Sequence, residues 1–354
     1  MLENDVERVS VIIPTRNRHT HLTLCLSSLL NQNFKDWNLV IANDGDEDLE
    51  EVHLLRGIFN LLELKGHRWK IIATSHSGQG GALNVAHRVA EADLILRIDD
   101  DAYLEPDYIE LLFRSLDDEK IGAVGGNTPN VYHSKGKLTQ LSKEFREWGG
   151  KIVFKGSYFV PYERQSLLPE PDEQPYEVDQ LRGHFLYRKK VLDEIGGFPL
   201  VYSQMGRRED TDTSLRMKMA GYRLLVVPQA IAWHIHSPFG GTRDGIDSSN
   251  YKRYLQMEED DLRLFEDRMW GWIREGLKEK VKIVIPDEFE KLRRLRYRLK
   301  RLTTRGSDFK TSLEIINLKR ECLIPLNDQE VLYLLLSKVL TLKERDEIVG
   351  GDRL

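Results

Sequence analysis

The stretch Asp93–Tyr103, DLILRIDDDAY, decides how the rest of the chain is read. Leu94, Ile95, Leu96 and Ile98 form a short apolar run of the kind that fills a strand buried on both faces. The run ends in three carboxylates, Asp99-Asp100-Asp101. Neighbouring carboxylates repel one another, so holding three at a buried strand end costs stability unless a cation offsets it. A hard divalent ion suits that place, because Mg²⁺ or Mn²⁺ takes oxygen ligands and is often held by one or two carboxylates plus substrate phosphates. A helix N-cap ahead of EPDYIELLFRSL accounts for one aspartate, not three.

Working back toward the N-terminus, strand and helix patterns alternate. Val9–Ile13 (VSVII) is a β-branched run stopped by Pro14, and Leu22, Cys25, Leu26, Leu29 and Leu30 then recur at helical spacing. Trp37–Ala42 (WNLVIA), the helix-like DLEEVHLLRGIFNLL, Trp69–Ala73 (WKIIA) and the helix-like GGALNVAHRVAEA follow. Such alternation predicts an α/β fold with a mostly parallel sheet flanked by helices. Three predicted strands end in polar residues: Pro14-Thr15-Arg16-Asn17, Asn43-Asp44-Gly45-Asp46 and Asp99-Asp100-Asp101. In an open parallel sheet these carboxyl ends share one edge, where such folds bind ligands, so a nucleotide-sized site is expected there. A lone acidic strand end would be an ordinary turn.

The second half changes character. GGKIVFKGSYFVPYERQ reads as strands and LLPEPDEQPYEVD as an acidic, Pro-rich loop. LRGHFLYRK, YRLLVVP and AIAWHIH read as further strands, and REDTDTSLRMKMAG as a helix closed by Gly221. From about Asn250 the chain looks helical and highly charged, so residues 1–250 are expected to form one domain, with a nucleotide-binding half near 8–130 and an acceptor half near 131–250, and residues 251–354 a helical C-terminal extension. The 354 residues carry 52 Lys+Arg against 57 Asp+Glu, a net charge of −5 that argues against a dedicated nucleic-acid binder. No apolar run approaches the ~20 residues of a membrane-spanning helix. The polar start MLENDVERVS is unlike a signal peptide, and Cys25 and Cys322 cannot supply a disulfide framework, so a cytoplasmic setting is expected.

VSVIIPTRNR, IANDGD, GQGGALNVA and LRIDDDAYLEPDYIE, in that order, resemble the opening half of a family-2 glycosyltransferase of GT-A fold. The likeness resumes in GHFLYRKKVLDEIGGFP and REDTDTSLRMKMAGYRLLVVPQAIAWH, covering roughly residues 8–236. It implies that Asp99-Asp100-Asp101 is the DXD position, with Asp101 a metal ligand and Asp99 near the ribose. Asp44 would read the base, Pro14, Thr15 and Arg16 would line the nucleoside, and Asn84 would stand beside the donor. Glu209-Asp210 resembles the ED motif, Asp210 being the general base, and His234 the C-terminal metal-ligating histidine.

Physical chemistry agrees with those roles. A metal at Asp101 would neutralise charge on a departing nucleoside diphosphate, and a carboxylate opposite could take the proton of an attacking hydroxyl. One base and one displacement give inversion, since retention through a covalent intermediate needs a separate nucleophile, which is not identified. The expected enzyme is therefore a metal-dependent glycosyltransferase using Mn²⁺ or Mg²⁺ and a nucleotide-sugar donor, UDP-linked by preference. Its acceptor, a glycan, a lipid-linked molecule or a small molecule, has no readable code.

Each residue also has a plainer reading. Asp210 and Asp212 sit where acids favour a helix N-terminus, His234 could be a core histidine with His236 as its rival, and Arg16 could make a surface ion pair. His184 lies near where an acceptor would enter. Ser237–Asn250 reads as a lid that would bring Arg243 to the diphosphate, or as a solvated linker. KLRRLRYRLKRLTTR at 291–305 is a basic amphipathic helix, able to lie on an anionic membrane or to pack its leucines on the protein. Two rival functions remain: a nucleotidyltransferase, for which PTRNRHT lacks the expected glycines, and an inactive scaffold, against which the intact Asp101, Asp210 and His234 argue.

Overall fold

The computed structural model describes residues 7–74, 76–129, 150–155, 158–161, 165, 169, 172–235, 240–241 and 251–285. Arg243, His236 and residues 286–354, the basic segment 291–305 among them, lie outside them. In chain order the elements are β1 (Val9–Thr15), α1 (His19–Leu30), β2 (Trp37–Asn43), α2 (His53–Leu64), β3 (Trp69–Ala73), α3 (Gly78–Val89), β4 (Leu94–Arg97), β5 (Ala102–Leu104), α4 (Tyr108–Arg114), β6 (Ile121–Asn127), β7 (Ile152–Lys155), β8 (Tyr158–Pro161), β9 (Tyr176–Val178), β10 (Phe185–Arg188), α5 (Lys189–Glu194), α6 (Glu209–Met219), β11 (Arg223–His234), α7 (Tyr251–Arg274) and β12 (Ile283–Val284).

The chain divides into two compact units, Met1–Ile152 with Pro161–Lys282, and Val153–Val160 with Ile283–Leu354. In the second, β7 lies between β12 and β8, and the buried rings of Phe154 and Phe159 pack 4.9 Å apart. The first is built on a sheet ordered β3-β2-β1-β4-β10-β6-β11-β5, with β9 added on β11. β1 pairs in parallel with both β2 and β4, β2 with β3, and β11 with β6, while β10 runs antiparallel between β4 and β6.

Alternation along the central strands makes the sheet two-faced. Val9, Val11 and Ile13 join Leu22, Leu26, Phe59 and Tyr108 in one apolar cluster, whereas Ile12, Val40 and Ala42 join Leu83, Ala86 and Val191 in the other. Helices α1, α2 and α4 thus cover one face, and α3 and α5 the other. The chain moves outward from β1 to β3 and then returns to place β4 on the opposite side of β1. That reversal opens a crevice at the carboxyl ends of β1 and β4, the place where open α/β sheets receive ligands.

Two local expectations are revised. β1 continues through Pro14 to Thr15, with Pro14 in register with Ala42 at the strand's end. The strands expected separately at YRLLVVP and AIAWHIH are one, β11, which runs through Pro228. Its register shifts between Val227 and Ile231, so the proline sits where the ladder is already interrupted. Beyond that break β11 takes a new partner: Ala232, Trp233 and His234 pair antiparallel with Leu104, Tyr103 and Ala102.

Candidate functional site

This last register carries His234 to the aspartate triplet. His234 stands opposite Ala102, the residue after Asp101, and the amide of Ile235 donates to the Asp101 carbonyl at 2.9 Å. The His234 Nε2 atom consequently lies 3.4 Å from Asp101 Oδ1. Pro14, Thr15, Arg16, Asp44, Asp99, Asp100, Asp101 and His234 all line one cleft at the β1/β4 crevice, together with Arg18, Gln79, Gln204 and Met205.

The three aspartates have different surroundings. Asp99 is the most open, with Gln79 Nε2 3.3 Å and Arg97 Nη2 3.5 Å from its Oδ1, and His184 Nε2 3.6 Å from Oδ2. Asp100 is buried and accepts hydrogen bonds from Thr15 Oγ1 at 2.7 Å and Arg18 Nη1 at 2.9 Å. Burial pushes its pKa up to about 6, with Asp101 adding to the rise and Arg18 and Thr15 opposing it. Asp101 turns one oxygen to Arg18 Nη1, 3.2 Å away, and the other to His234. His184 is buried with neither ring nitrogen hydrogen-bonded, and burial lowers its pKa to about 4.

No group of three or more His, Cys, Asp or Glu side chains among the described residues is arranged as a metal cage. The donor set nevertheless fits a substrate-bridged cation. Asp101 and His234 converge on one point beside the cleft, and diphosphate oxygens are the usual remaining ligands at such sites. Arg18 already places a positive charge against the same carboxylates.

Other residues singled out in the sequence are placed as follows. Asp44 is buried at the start of α3, its Oδ1 accepting from Ser77 N at 2.7 Å and Ser77 Oγ at 3.2 Å, and its Oδ2 from Gly78 N at 3.1 Å. Asn84 is not among the residues lining the cleft, and its amide is spent on Phe198: Nδ2 donates to the carbonyl at 2.9 Å and Oδ1 accepts the amide at 2.8 Å. Glu209 is buried against Arg97, whose Nη1 donates to both carboxylate oxygens at 2.9 Å. Burial raises the Glu209 pKa to about 7 against the pull of Arg97, while Glu209 and Asp99 outweigh burial at Arg97 and keep its guanidinium charged. Asp210, next in α6, accepts from the Thr211 amide at 2.7 Å.

Arg18, Arg97 and the Gln204-Met205 wall were not singled out in the sequence. A signal for Arg97 existed, since a cation inside LILRI must be buried and therefore paired. The wall segment is fastened from α7: Asp261 accepts from Ser203 N at 2.6 Å, Ser203 Oγ at 2.8 Å and Arg207 N at 3.0 Å. Arg268 of the same helix bonds buried Asp212, which also accepts from Tyr202 Oη and Arg216 Nε, each at 2.8 Å.

The family model for glycosyl transferase family 2 matches residues 10–196, just over half of the sequence, and the chain belongs to that family. Its mostly parallel sheet flanked by helices is the arrangement expected from the sequence. The hyaluronan synthase of Pasteurella multocida is 34% identical over 283 residues, covering 74% of this chain and 26% of that protein. The putative glycosyltransferase EpsH of Bacillus subtilis is 32% identical over 111 residues, 31% of each chain. This chain therefore spans about a third or less of the length of these relatives. S. aureus TarS 1–349, solved in complex with UDP-GlcNAc, superposes with a TM-score of 0.48 and 16% identity over 97% of this chain and 84% of its own. No helix among the described residues is long and apolar enough to cross a membrane.

Proposed function

We propose that this chain transfers a sugar from a nucleotide donor, UDP-linked by preference, to an acceptor hydroxyl with inversion at the anomeric carbon. The observation that carries the reading is the convergence of Asp101 and His234, 3.4 Å apart, on the crevice that also holds Thr15, Arg16 and Asp44. In this reading Asp101 and His234 hold a divalent ion, Mn²⁺ or Mg²⁺, which when bound supplies Lewis-acid charge to the departing diphosphate.

The protein's own groups do the rest. Pro14, Thr15 and Arg16 line the nucleoside, Asp44 faces the base from the mouth of α3, and Asp99, the openest of the three aspartates, takes the ribose hydroxyls. Asp100 stays back, tied to Thr15 and Arg18, and holds the strand end in shape. Asp210 accepts the proton of the acceptor hydroxyl as it attacks the face opposite the leaving group, so one displacement inverts the centre. Glu209 cannot serve as that base while both its oxygens are engaged by Arg97; it fixes the first turn of α6, from which Asp210 projects.

The test is release of nucleoside diphosphate from a panel of UDP- and GDP-sugars in Mn²⁺, Mg²⁺ or EDTA, since slow donor hydrolysis needs no acceptor. Metal-dependent release from one donor is expected, lost in Asp101→Ala and reduced at least 100-fold in Asp210→Asn, the low end of what a general base contributes. No release, and no thermal stabilisation by any nucleotide with metal, would favour the scaffold reading.

A further inference from the structure

Among the described residues, the buried arginine and most of the half-buried ones have anionic or carbonyl partners. Arg97 is bonded to Glu209, Arg18 to Asp100 and Asp101, Arg216 to Asp212 and the Ile195 carbonyl, and Arg188 to three backbone carbonyls. Two others break the pattern. The guanidinium groups of Arg182 and Arg208 have no hydrogen-bond or ion-pair partner among the described residues, and Arg208 Nε is sealed from solvent without one. A cation withdrawn from water and left unpaired is costly, and natural proteins rarely keep one without a use for it.

Both are held beside Asp210. Arg208 immediately precedes α6 and is one of three described non-glycine residues with a left-handed backbone, at φ +75°. That conformation is strained for a side chain bearing a Cβ, so the position is enforced by its surroundings. Arg182 is brought to the same place by a row of hydrogen bonds to α6: Thr211 Oγ1 donates to Gln180 Oε1 at 2.9 Å, and Leu181 N to Ser214 Oγ at 2.9 Å. On the other side of Arg182, Gly183 abuts the aspartate triplet, where an added Cβ would lie 2.8 Å from Asp99 Oδ2. The segment therefore runs from the first turn of α6 to the donor end of the cleft, with Arg182 between.

Charge agrees with that placement. Asp210 is an attractive charge acting on both guanidinium groups, while Arg207 repels both. Burial lowers the pKa of Arg182, and burial with Arg207 lowers that of Arg208 to about 10. Both residues are half-buried rather than fully enclosed.

We propose that Arg182 and Arg208 form an anion subsite beside Asp210 that receives the carboxylate or phosphate of an acidic acceptor. The inference rests on Asp210 being the base. Asp210 must touch the attacking hydroxyl and acts electrostatically on both guanidinium groups, so an anion they hold would belong to the acceptor that carries that hydroxyl. Their fork geometry suits a carboxylate or phosphate, and pairing there recovers the desolvation already incurred. A neutral acceptor would leave both cations unpaired, so the subsite also selects against it.

The experiment is ligand-observed NMR on the full chain with saturating UDP and diamagnetic Mg²⁺, titrating methyl β-D-glucuronide, glycerol 3-phosphate and methyl β-D-glucoside. At least one of the two anions is expected to bind at least tenfold more tightly than the neutral glucoside, and the tighter of them identifies the group. Arg182→Gln and Arg208→Gln should each weaken that binding at least tenfold, and Arg208→Lys should retain part of it. Thermal unfolding without ligand supplies the control: removing an unpaired cation should leave the midpoint unchanged or raise it, whereas a purely structural arginine would lower it. Binding of neither anion, or binding unaltered in both variants, overturns the proposal. A UDP-glucuronate arm against UDP-glucose separates the sources, because loss confined to the acidic donor would assign the anion to the donor sugar and overturn the acceptor assignment. Failure of UDP itself to bind would count against the transferase reading, a result separable from failure of the anion arms.

Discussion

Arg97 and Glu209 stand 112 residues apart in sequence and meet in the core, one guanidinium nitrogen lying 2.9 Å from each carboxylate oxygen. The pair ties the end of β4, which carries the aspartate triplet, to the first residue of α6, which carries the proposed base. Two aromatic rings, of Phe185 and Phe198, flank the guanidinium at 5.4 and 5.3 Å. Breaking one side of a buried pair leaves an uncompensated charge, at a cost of about 3–5 kcal/mol. Glu209→Ala and Arg97→Met should each lower unfolding stability by an amount of that order, and the double variant by clearly less than the sum, as read by urea unfolding in a double-mutant cycle. Additive losses would show that the two side chains act independently.

Arg18 makes a different prediction. It is the counter-charge of Asp100 and Asp101, at 2.9 and 3.2 Å. Arg18→Met should lower the melting temperature, because the two buried carboxylates then repel without relief. Added Mn²⁺ should restore more stability to the variant than it gives the wild type, since a cation bound only by the folded state stabilises by mass action. Equal metal shifts in the two proteins would refute the shared position of guanidinium and metal.

His87 predicts a pH dependence away from the cleft. Its ring is buried, with Nδ1 3.0 Å from Tyr187 Oη and Nε2 2.7 Å from Asp193 Oδ1. Burial holds its pKa below the ordinary 6.5, with the Asp193 hydrogen bond opposing the shift. The folded pKa thus lies below the unfolded one, so the contribution is complete above pH 6.5 and is lost as pH falls through that value toward the folded pKa. The stability difference between wild type and His87→Gln should shrink between pH 8 and pH 5, measured by urea unfolding at each pH. A difference that grows on acidification would mean the ring is charged in the fold.

Asp261 accepts three hydrogen bonds that fasten the Ser203–Arg207 wall. Asp261→Ala should cost about 2–4 kcal/mol, because buried donors left unsatisfied cost about 1–3 kcal/mol each and some regain water. Gln204 and Met205 lose their support in the same step, so the nucleotide dissociation constant, read by calorimetry, should rise several-fold. Unchanged nucleotide affinity would separate the wall from donor binding.

Much of the fold could be read from period and punctuation. The β1–β4 half follows from apolar runs separated by helical spacing, and the polar strand ends marked the edge where the cleft lies. What could not be read depended on partners distant in sequence. YRLLVVPQAIAWH looked like two strands because a proline normally ends one; the interruption instead coincides with a change of partner from β6 to β5. Asn84 stood out within GGALN, but its amide atoms are consumed by Phe198, 114 residues away. Nothing in TRNR sets Arg18 apart, and only the meeting of β1 with β4 places it on Asp100 and Asp101.

The brace from α7 bears on where this polypeptide can be trimmed. Tyr251–Arg274 follows the last residue matched by the family model, 196, so a search for the shortest active fragment would discard it first. A fragment ending at residue 250 would keep the sequence motifs of the cleft yet strand the amides of Ser203 and Arg207 and the Ser203 hydroxyl, and would deprive buried Asp212 of Arg268. Possession of the family's signature residues and possession of a braced cleft are thus separately encoded along the chain, and a shortened version can inherit the first without the second.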